Sequence, residues 1–166
     1  MAVQVAVCGP GECTEREWDH AYETGRILAE HGAVVVCGGH GGVMAAVAAG
    51  ARTAGGTVVG VLPAADRAAA GPDLTVAVPT GLGQARNNVI VNAADALIAV
   101  GGSWGTLSEI ALAMRAGRIP VVQLGGWRVH DEDGRPAGGI VHAADPAAAV
   151  EATGLFGRTA RGADAG

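Results

Sequence analysis

The feature that most constrains the fold of this sequence is a repeated alternation of short apolar runs, glycine-rich turns and helix-forming segments. The apolar runs occupy residues 4–8, 33–37, 57–62, 74–78, 96–100 and 119–124. Each run has the length of a strand, and the run at 33–37 is apolar throughout, as expected of a strand buried on both faces of a parallel sheet. The alternation predicts a single α/β, Rossmann-like, three-layer domain with a mostly parallel sheet of about six or seven strands.

Helix signals fill the intervals between the runs. Thr14 and Glu17 form a capping box that predicts the start of the first helix. Further helices are predicted over residues 43–54, 82–94 and 146–153, and another after the turn at 101–105, where Leu107, Ile110 and Met114 have helical spacing. The acidic stretch at 131–134 predicts an exposed turn in a hairpin-like excursion. We expect the folded domain to cover residues 1–156 and residues 157–166 to form a flexible tail.

Composition narrows the classes of partner. The 166-residue chain is 49% hydrophobic, which suffices for one core, and carries a net charge of −5 without a basic run. Binding to nucleic acid polymers or to anionic membranes is therefore disfavoured. No apolar run approaches the length of a membrane span and no signal pattern precedes the first strand, so we expect a cytoplasmic protein.

The basic residues are all arginine, and this excludes specific chemistries. The chain contains 11 basic residues and no lysine. A Schiff base to a carbonyl compound needs a lysine amine, and a P-loop needs the Gly-Lys-Ser/Thr sequence, so neither can form here. The three cysteines and five histidines show no ligand-like spacing. We therefore expect inert thiols, no metal ion and no bound cofactor.

Three glycine-rich loops carry the first indication of function. They follow the runs that end at residues 8, 37 and 100, and occupy 9–11, 38–42 and 101–105. The carboxyl ends of parallel strands meet at one edge of a sheet, so the loops are expected to converge on one crevice. Glycines at such positions let backbone N–H groups approach an anion closely, although each loop alone is equally well explained as a tight turn. Together they predict a site for a phosphorylated small molecule.

Two known patterns match part of this region. Residues 38–44 approach a dinucleotide-binding fingerprint, but Met44 stands where a third small residue belongs, and the third strand ends in Leu62 and Pro63 without an acidic partner for a ribose. Residues 101–105 fit the Gly-x-Ser-x-Gly turn of a serine hydrolase, with Ser103 as nucleophile and His142 following later in the chain. Such short patterns occur by chance in a glycine-rich chain. A dinucleotide-binding site and a serine hydrolase are therefore minor alternatives.

A longer stretch shows a more specific resemblance. Residues 83–109 pair an arginine, Arg86, with a motif that keeps Gly102, Gly105, Thr106 and Glu109. This stretch resembles the family of cytokinin-activating nucleoside-monophosphate phosphoribohydrolases, often mislabelled lysine decarboxylases, which also includes molybdenum cofactor carrier proteins. The second glycine loop and the segment after it, residues 35–63, resemble the same family. The resemblance covers roughly residues 3–125.

The resemblance implies hydrolysis of the N-glycosidic bond of a nucleoside 5′-monophosphate, giving a free base and ribose 5-phosphate, in a homodimer or homotetramer. It implies catalytic roles for Arg86 and Glu109. The binding residues that follow from it and from the loops are Gly9, Pro10, Gly39, His40, Asn87, Gly102, Ser103, Trp104, Gly105 and Thr106. Family phosphoribohydrolases commonly have lysine after the arginine, where this chain has Asn87. A non-catalytic carrier of a phosphorylated pterin, the molybdenum cofactor, is therefore the alternative function.

Elementary chemistry supports a role for Glu109 in the site, but a structural role as a helix cap explains the same residue. Cleavage of an N-glycosidic bond passes through an oxocarbenium-like state, which a carboxylate beside the sugar stabilises. The position of Glu109 relative to Leu107 predicts a side chain that points away from the face packed on the sheet. The segment from Thr106 to Glu109 also reads as a capping box, which needs no substrate.

Overall fold

The computed structural model describes residues 1–157, which form seven strands, five α-helices and a 3₁₀ turn at Gly83–Arg86. The strands are β1 Gln4–Cys8, β2 Val34–Cys37, β3 Thr57–Leu62, β4 Val76–Pro79, β5 Ala96–Val100, β6 Val121–Leu124 and β7 Ile140–Ala143. The helices are α1 Glu15–Glu30, α2 Val43–Thr53, α3 Asn87–Asn92, α4 Trp104–Ala116 and α5 Pro146–Ala152. The predicted tail lies outside the described residues from position 158 onward.

All seven strands are parallel and lie in the order β4-β3-β2-β1-β5-β6-β7. The chain builds outward from β1 in one direction as far as β4 and then returns to start β5 on the other side of β1. In register, Val5 of β1 lies opposite Ala96 of β5. The strand order therefore reverses between β1 and β5, which is the position where open α/β sheets bind ligands.

Helices cover both faces of the sheet. Helices α1, α2 and α5 pack together on one face, while α3 and α4 pack together on the other. Successive residues of a strand point to opposite faces, so Val7 joins the core under the first layer and Cys8 the core under the second. The predicted three-layer Rossmann-like α/β fold is confirmed.

Close contact between α1 and α2 depends on two glycines. A Cβ atom on Gly25 would overlap the backbone carbonyl of Val47, and one on Gly50 would overlap the carbonyl of Tyr22. Each helix therefore presents bare backbone to the other, which explains why a chain so rich in glycine and alanine forms tightly packed helices.

The sequence located most elements well. The predicted bounds of β1, β3 and β5 match the structure, and the other predicted strands differ by one or two residues at the ends. The predicted helix over 82–94 is instead a 3₁₀ turn followed by the six-residue α3. A seventh strand, β7, follows the excursion, which closes through an antiparallel bridge between His130 and Pro136.

Within residues 1–157, no helix has the length and apolar character needed to cross a lipid bilayer.

Candidate functional site

The three glycine-rich loops meet at one edge of the sheet. They follow β1, β2 and β5, which are neighbouring strands, so the predicted convergence is confirmed. The amide of Val43 donates to the carbonyl of Pro10 at 3.0 Å and joins the first two loops. A Cβ atom on Gly9 would lie 2.5 Å from the carbonyl oxygen of Val100, so the first loop and the end of β5 touch through bare backbone. The second loop turns at Gly39, which has a φ of +76°.

The third loop ends in a capped helix. Ser103 is the N-cap of α4, and its Oγ accepts a hydrogen bond from the amide of Thr106 at 3.2 Å. The two hydroxyl groups lie 2.9 Å apart. The helix begins at Trp104, so the prediction of a capping box formed by Thr106 and Glu109 is wrong: Glu109 lies in the second turn of α4, beyond the cap.

Glu109 points into the protein rather than away from it. Its side chain is 8% exposed and lies beside the thiol of Cys8, at the end of β1. Burial raises the pKa of Glu109 to about 7, although the positive charge of Arg86 and a hydrogen bond with Cys8 both act to lower it. Burial also raises the pKa of the Cys8 thiol. Glu109 is therefore a carboxyl group that exchanges a proton near neutral pH.

Arg86 is buried beneath the second loop. Its Nη1 donates to the carbonyl of Gly38 at 2.8 Å and to the carbonyl of Val61. Its Nε is buried and has no hydrogen-bond partner among residues 1–157. Burial lowers the pKa of the guanidinium, and the charge of Glu109 partly opposes this shift. The arginine therefore ties the ends of β2 and β3 together and brings a positive charge near Glu109.

Asn87 connects α3 to the start of α4. It is buried, and its Nδ2 donates to the Oγ of Ser108 at 2.8 Å. That hydroxyl in turn donates to the carbonyl of Gly105 at 2.7 Å. Asn87, which stands where family phosphoribohydrolases commonly have lysine, thus occupies a well-defined place behind the Ser103 turn.

Two exposed tryptophans lie beside the Ser103 turn. Trp104 is 78% exposed and Trp127 is 42% exposed, and their rings meet edge to face with centroids 5.0 Å apart. A Cβ atom on Gly102 would lie 2.8 Å from the amide nitrogen of Trp127, so the loop after β6 packs directly on the third glycine loop. Sequence reasoning identified Trp104 but missed Trp127, because nothing in the sequence indicates that these two loops touch.

Two residues of the second glycine loop, Gly39 and His40, and the histidine of the serine-hydrolase pattern, His142, were also predicted. Gly39 is buried and accepts a hydrogen bond from the amide of Gly71, whereas His40 is partly exposed at the same loop. His142 lies on the edge strand β7, and within residues 1–157 the Ser103 hydroxyl pairs with Thr106 and with no histidine. No group of three or more histidine, cysteine or acidic side chains in that range is arranged to hold a metal ion.

The fold and this edge define a class: Rossmann-like α/β proteins with a helix N-terminus and glycine loops gathered at the switch point of the sheet. A family model described as "LDcluster4: SLOG cluster4 family" matches residues 2–150. The chain belongs to this SLOG cluster 4 family.

Two solved structures of similar sequence are of molybdenum cofactor proteins. A molybdenum cofactor binding protein from Rippkaea orientalis superposes with a TM-score of 0.81 at 32% identity, covering 91% of this chain and 94% of that one. A molybdenum cofactor carrier protein from Chlamydomonas reinhardtii has a TM-score of 0.78 at 35% identity, covering 92% and 96%.

A curated relative is an enzyme. The cytokinin riboside 5′-monophosphate phosphoribohydrolase of Mycobacterium tuberculosis is 34% identical over 115 residues. The match spans 64% of this chain and 62% of the enzyme. The resemblance to the phosphoribohydrolase and carrier family is therefore confirmed, and both a catalytic and a carrier function are consistent with it.

Proposed function

We propose that this protein binds a phosphorylated small molecule with a planar ring system at the N-terminus of α4 and carries it without cleaving it, the phosphorylated pterin of the molybdenum cofactor being the leading candidate. The observation that carries the proposal is the juxtaposition of a capped helix N-terminus with an exposed pair of tryptophans. One element suits an anion and the other suits a flat ring.

The phosphate half of the ligand is assigned to the Ser103 turn. Helix α4 is 13 residues long, and its first amides point out of the helix toward the carboxyl edge of the sheet. Gly105 places no side chain over this end, so an anion can approach the backbone. The hydroxyl groups of Ser103 and Thr106 supply further polar atoms.

The ring half of the ligand is assigned to the two tryptophans. Trp104 is the first residue of α4, so its side chain starts within one residue of the capping hydroxyl. An indole exposed to this degree loses unfavourable contact with water when a flat ring stacks on it. Trp127 supports the first indole from the side through their edge-to-face contact.

The burial of the acidic residue supports a carrier over a hydrolase. A carboxylate that stabilises an oxocarbenium-like state must reach the sugar. The side chain of Glu109 is almost fully buried. Arg86 directs two hydrogen bonds to backbone carbonyls of the protein itself. The likeness to carrier proteins also extends over more than nine tenths of both chains.

Hydrolysis of a nucleoside 5′-monophosphate is the second candidate, and the pKa of Glu109 favours it. A carboxyl group with a pKa of about 7 can accept a proton from water as the water attacks the sugar carbon, while the bond to the base breaks. The protonated Glu109 then gives this proton to the departing base, and ribose 5-phosphate remains. The phosphoribohydrolase relative supports this alternative.

One pair of assays separates the two functions. The protein is titrated with a phosphorylated pterin, and with the unphosphorylated pterin as a matched control, following the quenching of tryptophan fluorescence. It is then incubated with AMP, CMP, GMP and cytokinin monophosphates, and the released base is measured. We expect saturable binding that needs the phosphate, weaker binding in Trp104→Ala than in Trp104→Phe, and no released base. Release of base that disappears in Glu109→Ala would instead establish hydrolysis.

A further inference from the structure

A cleft separate from the Ser103 turn lies beside the third glycine loop, at Gly101. It has a volume of about 490 Å³, within the range of small-molecule sites. Its walls come from the start of α1, from Gly101, from the loop after β6 and from the residues that follow β7. The cleft therefore opens at the same edge of the sheet as the Ser103 turn, on the side covered by α1 and α5.

The cleft carries positive charge in a protein whose net charge is −5. Arg16 on α1 and Arg128 in the loop after β6 both line it, together with His20. Within residues 1–157 neither arginine takes part in an ion pair, since the salt bridges there involve only Arg26 and Arg135. Guanidinium groups in this situation are available to grip an oxyanion with paired N–H donors.

The one carboxylate in the cleft is already engaged. Glu17 belongs to the capping box of α1, where its Oε2 accepts hydrogen bonds from the amide of Thr14 at 2.9 Å and from its hydroxyl at 3.1 Å. Its other oxygen lies against Gly101, where a Cβ atom would overlap it. Glu17 is thus held at the wall by its own hydrogen bonds, apart from the two arginines.

Backbone packing fixes the ridge between the cleft and the Ser103 turn. Gly126 has a φ of +79°, and a Cβ atom there would overlap the carbonyl of Gly101. Gly125, with a φ of +73°, has open space where its side chain would be. Gly101 and Ser103 are two residues apart, so their Cα atoms are at most about 7.6 Å apart. Two groups of a single ligand can therefore reach both sides of the ridge.

From this arrangement we propose that the cleft between Arg16 and Arg128 is a second binding site for a phosphate-like oxyanion. The oxyanion belongs either to the ligand that occupies the Ser103 turn or to a separate small molecule. The inference concerns residues outside the Ser103 turn, so it stands or fails separately from the proposed function.

The test uses inorganic phosphate as the probe and backbone amide shifts in ¹H–¹⁵N NMR spectra as the readout. In the wild-type protein, we expect phosphate to shift the amides of Gly125 and Gly126 saturably. The double variant Arg16→Gln/Arg128→Gln should weaken this response about tenfold or more, because it removes charge-assisted hydrogen bonds. Arg115→Gln, which removes an exposed arginine on α4 outside the cleft, serves as the matched control and should leave the affinity unchanged.

A comparison of AMP with adenosine 3′,5′-bisphosphate identifies the source of the oxyanion. If one ligand reaches both sites, the bisphosphate binds the wild type about tenfold more tightly than AMP and loses that advantage in the double variant. If the oxyanion is separate, the bisphosphate binds no more tightly than AMP, and phosphate still saturates the cleft when the bisphosphate is bound.

Absence of a saturable shift at the two glycines, or equal phosphate affinity in the wild type and the double variant, would overturn the inference. The amides of residues 103–106 report on the proposed function in the same spectra. Shifts at the glycines without shifts at 103–106 would leave the cleft in place and count against the Ser103 turn.

Discussion

Replacing Glu109 by glutamine should make the protein more stable at alkaline pH and leave its stability unchanged at acid pH. The substitution keeps the size and shape of the side chain but removes its charge. In the folded protein the carboxyl group has a pKa of about 7, against an ordinary value of 4.5. The buried carboxyl group therefore holds its proton more tightly in the folded state than in the unfolded state.

The sign of the effect follows from proton binding. Between pH 4.5 and 7 the unfolded chain loses the proton while the folded protein keeps it, so unfolding releases a proton and the free energy of unfolding falls as pH rises. The favourable contribution is full below pH 4.5 and is lost by the time the pH has passed through 7. A difference of about 2.5 pH units at about 1.4 kcal/mol per unit gives a loss of about 3 kcal/mol.

Urea denaturation at several pH values measures this effect. The wild type and Glu109→Gln should have the same free energy of unfolding at pH 4.5, and the variant should be about 2–3 kcal/mol more stable at pH 8. Glu30→Gln, an exposed carboxyl on α1, is the matched control and should shift stability by less than about 0.5 kcal/mol at either pH. Equal stability of wild type and Glu109→Gln at pH 8 would show that the carboxyl group is not desolvated as described.

Three further substitutions test the packing of the site. Arg86→Met should destabilise the fold by about 2–4 kcal/mol, measured by urea denaturation, because it removes the guanidinium that donates to two backbone carbonyls; a loss below 1 kcal/mol would refute the bridging role. Ser103→Ala should cost about 1 kcal/mol through loss of the helix cap and should weaken phosphate binding without abolishing it, as calorimetry would show. Gly126→Ala should lower the melting temperature much more than Gly125→Ala, since both have positive φ but only Gly126 meets the Gly101 carbonyl; equal effects would argue against that contact.

The strands were the most predictable part of the fold. The runs that became β1, β3 and β5 are mostly apolar and are followed by glycine or proline, which end strands, so their bounds follow from local sequence. The edge strand β7 was missed because half of its four residues, Val141 and His142, are exposed, and the run is neither long nor apolar. Edge strands are defined mainly by the neighbour they pair with, which a single sequence does not contain.

The site was predictable as a set of loops but not as a set of contacts. The glycine motifs located all three loops at the correct edge of the sheet. The predicted orientation of Glu109 was wrong because Leu107 was placed at the centre of the buried face of α4, whereas Thr106, Glu109, Ile110 and Ala113 form that face. The contact between Cys8 and Glu109 joins residues about a hundred positions apart, and strand order alone creates it.

A crystal structure of the protein with bound AMP tests the central claim most directly, since the nucleotide combines a phosphate with a planar ring. The account predicts phosphate oxygens within hydrogen-bonding distance, about 3 Å, of the amides that begin α4 and of the Ser103 hydroxyl, with the base against Trp104. A phosphate bound elsewhere, with the Ser103 turn filled by side chains of the protein itself, would contradict it.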